Sequence, residues 1–72
     1  MQKVTETMLA TNAAERMREQ PGCRSVSAVQ INVTPTDWYL GIITHEAARD
    51  SDIVRGRIAV ERAMKEKYIL VR

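Results

Sequence analysis

The chain contains no phenylalanine, one tryptophan and two tyrosines in 72 residues. Its interior therefore has to be assembled from Val, Ile, Leu, Met and Ala around a single large ring system, Trp38. The lone cysteine, Cys23, excludes an intrachain disulfide, leaves a zinc cage without a second thiolate, and points to a reducing compartment. The three glycines, Gly22, Gly41 and Gly56, are isolated, so the spaced patterns that open a helix onto phosphate are absent. A single histidine, His45, leaves any nucleophile with one candidate base. No stretch approaches the length of a membrane span. Residues 1–10 carry Lys3, Glu6 and several threonines where a secretory signal needs a continuous apolar run. These absences predict a soluble cytoplasmic chain with no cofactor and no membrane partner.

What is present is a globular balance, with 44 % hydrophobic and 28 % charged residues, which is too apolar for a disordered chain. A chain of this length supports one core and buries about 60 % of the surface its unfolded form exposes, so a second subunit would add needed stability. The net charge of +2 and pI near 9.0 are too mild to identify a partner. Glu61 and Glu66 interrupt the basic residues of the last segment, whereas a nucleic-acid footprint is a dense basic face.

Residues 6–20, rich in Ala, Met, Leu, Glu and Arg, read as a helix closed by Pro21-Gly22, with Thr5 as its N-cap. Glu6 in the first turn and Arg16 and Arg18 in the last suit the helix dipole. From residue 24 the period changes to two, predicting a strand over 24–33 with Val29, Ile31 and Val33 toward the core and Gln30 and Asn32 outward. Thr34-Pro35-Thr36-Asp37 is a turn signal. A second strand over 38–44 completes a hairpin, with Trp38, Leu40 and Ile42 on one face and Tyr39 and Ile43 on the other.

Asp50, Ser51 and Asp52 are cap-forming residues ahead of a helix over 51–66. That helix has two apolar stripes: Ile53, Gly56, Val60, Ala63 and Met64, then Val54 and Ile58. Arg57, Glu61 and Lys65 form a ladder spaced by four. The short apolar run 68–71 reads either as the last helical turn or, in preference, as a third strand; as a strand it is parallel to the second across a right-handed crossover, with the first strand between them. The fold class is α+β: an antiparallel hairpin or three-stranded mixed sheet packed with two helices, in the order α-β-β-α-(β), within a single domain over 1–72.

Motifs for chemistry are few. His45-Glu46-Ala47-Ala48-Arg49 resembles the opening of His-Glu-x-x-His, but Arg49 stands where the second zinc ligand belongs. Asp50-Ser51-Asp52 lacks the further oxygen ligands and the glycine of a calcium loop. Cys23 follows a helix C-terminus, whose partial negative charge opposes a thiolate. Asn32-Val33-Thr34 matches a glycosylation acceptor, but without a secretory signal the match has no context.

With catalytic, metal and cofactor sites all unassigned, the expected function is a protein-interaction or self-associating domain, with a homodimer or an unidentified protein as partner. The strand over 25–33 has no Lys, Arg, Asp, Glu or Pro to blunt its edge. Val26, Ala28, Gln30, Trp38, Tyr39, Val54 and Ile58 are the candidate partner residues. The alternative is a weak nucleic-acid-binding module using Arg24, Arg55, Arg57, Arg62 and Lys65 with the aromatics Trp38 and Tyr39.

Overall fold

In a computed structural model, which describes residues 1–71, the first helix is α1 (Glu6–Arg18). The Thr5 hydroxyl accepts the Met8 amide at 3.2 Å, satisfying one of the donors a helix start leaves open. The helix ends earlier than its composition suggests, because Gln20 bonds back to Met17 and Gly22 then turns the chain at φ 79°, a backbone conformation that favours glycine. Leu9, Ala13, Ala14 and Met17 are its buried residues, and the two alanines let it lie close to its neighbours.

The hairpin is β2 (Val26–Val33) paired antiparallel with β3 (Trp38–Thr44). Its turn is closed on both sides of Pro35: Thr34 donates its amide to the Asp37 carbonyl at 2.8 Å, and the Thr34 hydroxyl accepts the Asp37 amide at 2.9 Å. The simple alternation expected along β2 is broken, because Val26 faces Thr44 while Ala28 already faces Ile43. Ser27 is therefore an extra residue in a β-bulge. Beyond it Val29 and Ile31 point inward as expected, but before it Val26 does too, at 1 % exposure, while Val33 is left 42 % exposed. The Arg18 guanidinium holds the bulge from α1, donating Nε to the Val26 carbonyl and Nη2 to the Ser27 carbonyl, each at 2.9 Å.

The second helix, α2 (Asp50–Lys67), starts one residue earlier than expected. Asp50, Ser51 and Asp52 all lie inside its first turn, Arg49 occupies the cap position without a side-chain cap bond, and Asp52 pairs with Arg55 at 2.7 Å. The expected capping role is thus replaced by first-turn acids, which the helix dipole also favours. Of its two apolar stripes, Gly56, Val60 and Met64 are buried, whereas Ala63, placed with them by the sequence, is exposed.

The last strand does form, but in another sheet. A strand absent from the sequence reading, β1 (Gln2–Val4), pairs in parallel with β4 (Tyr68–Leu70), Val4 facing Leu70 and Gln2 facing Tyr68. The three-stranded mixed sheet is replaced by two separate two-stranded sheets. The class remains α+β, in the order β-α-β-β-α-β. Val4 and Tyr68 join Leu9, Met17, Val26, Ile31, Trp38, Leu40, Val60 and Met64 in one buried cluster.

Two close approaches fasten α2. At Gly56 a Cβ would sit 3.0 Å from Cys23 Sγ and 3.2 Å from Gln20 Cβ. At the other end Glu61 accepts the Leu40 backbone amide at 2.8 Å and pairs with Arg57 at 3.2 Å, so one carboxylate joins α2 to the hairpin.

Replacing Gly56→Ala should therefore fail to realise the helix-propensity gain of about 1 kcal/mol. It should lower stability by about 1–2 kcal/mol through overpacking, with part of that loss removed when Cys23→Ala is added; denaturant melts of the two single variants and the double variant measure the coupling. Glu61→Ala should cost about 1–3 kcal/mol, because the Leu40 amide loses its acceptor. Glu61→Gln, which keeps an acceptor oxygen, should cost less in the same melts.

Candidate interaction surface

The antiparallel ladder dictates which backbone groups the hairpin presents at its edges, because residues alternate between exchanging hydrogen bonds with the opposite strand and pointing away from it. The Leu40 amide goes to Glu61 and the Trp38 amide to Asp37 Oδ1 at 2.8 Å, so both point off the sheet. By alternation their facing residues Ile31 and Val33, and with them Val29, also direct N–H and C=O away from the hairpin, on the opposite edge. The two edges differ. On β3, side-chain carboxylates occupy the Trp38 and Leu40 amides. On β2, Arg18 occupies the Val26 and Ser27 carbonyls, and residues 27–31 line a groove.

That groove runs between β2 and α1 as two adjoining depressions of about 480 and 260 Å³ that share Ala10, Thr11 and Val29. Thr7, Ala10, Thr11 and Ala14 form its helical wall, so nothing longer than a threonine projects from the middle of that side. Glu6, Glu15 and Arg18 stand along the helix at the groove's margins.

The outer face of the hairpin is formed by the facing pairs Ala28–Ile43, Gln30–Gly41 and Asn32–Tyr39. No charged residue belongs to it. Tyr39 is 45 % and Ile43 49 % exposed; Lys65 of α2 reaches over the Tyr39 ring, and Ile43 borders one depression of the groove. Of the residues expected at a partner surface, Ala28, Gln30 and Tyr39 lie together here. Val26 and Trp38 do not: the bulge turns Val26 into the core, and Trp38, at the other end of the hairpin, packs inward in the same buried cluster. Val54 and Ile58 are exposed one turn apart on α2, away from the hairpin's outer face in chain and element. Sequence reasoning missed Ile43, although its alternation with Ile42 placed it outward, and missed the groove, which exists only once α1 lies beside β2.

The basic residues considered for nucleic acid are divided. Arg55 pairs with Asp52, Arg57 with Glu61, and Lys65 with Asp37 at 3.0 Å, so a phosphate would compete with a carboxylate at each. Arg24, in the turn before β2, and Arg62, on α2, are exposed. The Lys65 ammonium also lies 5.0 Å from the Trp38 ring centre and 5.1 Å from that of Tyr39, within cation–π range. The aromatics thus already carry a cation from their own chain.

Cys23 is buried, its thiol directed at the Asp52 carbonyl at 3.5 Å. Burial, with the Asp52 charge in support and Arg55 opposing, pushes its pKa up, which disfavours the nucleophilic thiolate. His45 is exposed and lies 3.7 Å from Glu46. Among the described residues no group of three or more His, Cys, Asp or Glu is placed to hold a metal ion, and no helix is long and apolar enough to cross a membrane.

Asp37 is held below the usual carboxylate range by the Trp38 amide first and the Lys65 ammonium second. A lowered folded-state pKa adds stability above the unfolded value that is lost as pH falls through the folded one. Melting temperature should therefore drop below about pH 4, and Asp37→Asn should weaken that acid dependence in melts taken from pH 6 to pH 2.

Comparison of the chain with protein-family models, with curated proteins and with solved structures gave no match.

Proposed function

We propose that the chain is a non-enzymatic interaction domain that associates with itself or another protein through the hairpin. The observation that carries this reading is the uncharged outer face, where Tyr39 and Ile43 stand half-exposed beside Ala28, Gln30 and Asn32. Sheets that remain in water are commonly defended by charges on their faces and edges. This one has charges on its helices and none on β2 or β3, a distribution suited to a face that is covered in use.

Self-association also answers a stability problem. A chain this short has one modest core, and a second copy adds apolar burial that the monomer cannot supply. Carboxylate partners at Arg55, Arg57 and Lys65 weigh against the nucleic-acid alternative.

Sedimentation over a roughly hundredfold concentration range tests the reading. The wild-type mass should rise from monomer to dimer across that range. A monomer at every concentration that nevertheless binds single- or double-stranded DNA or RNA at low salt would replace this reading with the nucleic-acid one.

A further inference from the structure

Resting on that reading, we propose that the partner is a second copy of this chain, joined by antiparallel pairing of β2 with its counterpart about a two-fold axis at Ile31. The arrangement makes one four-stranded sheet in the strand order β3-β2-β2-β3.

The first argument is the extent of the open edge. Arg18 closes it at one end by taking the Val26 and Ser27 carbonyls. Pro35, which has no amide, follows the other end. What remains is residues 29–33, a window centred on Ile31, with Val29, Ile31 and Val33 directing their backbone groups outward.

The second argument is the sequence of that window. Val29-Gln30-Ile31-Asn32-Val33 has the same chemistry read in either direction: aliphatic, amide, aliphatic, amide, aliphatic. Antiparallel pairing about Ile31 sets each Val29 opposite the partner's Val33, Ile31 opposite itself, and each Gln30 opposite the partner's Asn32. The outward backbone groups of residues 29, 31 and 33 meet in that register, giving roughly six ladder hydrogen bonds. Gln30 and Asn32 fall at the close, non-hydrogen-bonded positions, where side chains interact most strongly, and their amides are complementary donors and acceptors.

A two-fold interface brings like residues together, so a charge near the axis would meet its own kind. This strand carries none. The register also resolves the one misfit of the inner face, because exposed Val33 gains the partner's Val29 as a neighbour. The small side chains Thr7, Ala10, Thr11 and Ala14 leave the groove open to the incoming strand.

Charge placement at positions 30 and 32 reads both pairing and register. Both side chains are exposed, so substitution there need not disturb the fold, and circular dichroism melts verify it. Gln30→Lys with Asn32→Lys opposes like charges in this register and should weaken the dimer roughly tenfold or more. Gln30→Lys with Asn32→Glu opposes unlike charges at both symmetry-related contacts and should hold the dissociation constant within roughly threefold of wild type. In the wild type, protection of the Val29, Ile31 and Val33 amides from hydrogen exchange should rise with concentration. If the wild type dimerises but both double variants do so equally, or if those amides exchange independently of concentration, the edge pairing is overturned and self-association stands on another surface. If the wild type is monomeric throughout, the two-fold pairing and the self-associating form of the function both fail.

Discussion

The two hydrogen bonds from Arg18 to the Val26 and Ser27 carbonyls govern more of this structure than their surface location suggests. They hold an extra residue in β2, and with period-two alternation one extra residue exchanges the faces of everything on one side of it. Val26 consequently enters the core together with Val29 and Ile31 instead of facing water opposite them. The same guanidinium ties the end of α1 to the start of the hairpin.

The hairpin's two edges follow from the same geometry but meet different surroundings. Along β3, α2 supplies Glu61 to the Leu40 amide and the turn supplies Asp37 to the Trp38 amide. Gly56 permits α2 to seat against Cys23 and Gln20, holding the helix that carries Glu61 close to the rest of the chain. Along β2, α1 stands beside the strand and forms a groove with it. Edge backbone is normally paired, covered or defended by charge, and the two edges of the hairpin differ most at residues 29–33.

Chemistry is sparse by comparison. The thiol is buried with a raised pKa, the histidine has one carboxylate neighbour in water, and the Trp38 and Tyr39 rings both hold Lys65. The remaining distinctive feature is the hairpin's outer face: amides, a phenol and aliphatic groups on a pleated surface, with hydrogen-bonding backbone alongside.

The α+β class, both long helices, the hairpin and its turn were legible in the sequence because each depends on local physics. Thr5, Pro21 and Gly22 mark α1, the period of two marks the strands, and Pro35 with Asp37 marks the turn. The uncharged character of β2 was equally plain, and with it the idea of an open edge. Tertiary structure decided the rest. Gln2–Val4 is too short to show a period, and it becomes a strand only because Tyr68–Leu70 arrives beside it from the far end of the chain. The bulge is bonded from α1 by Arg18, a contact that β2 alone does not reveal, and Ala63 lies outward because α2 contacts its neighbours through the narrow line of Gly56, Val60 and Met64. Local sequence determined which segments take up helix or strand; long-range contacts determined which face each one buries and which edge stays open, because burial belongs to pairs of elements and neither member carries it alone.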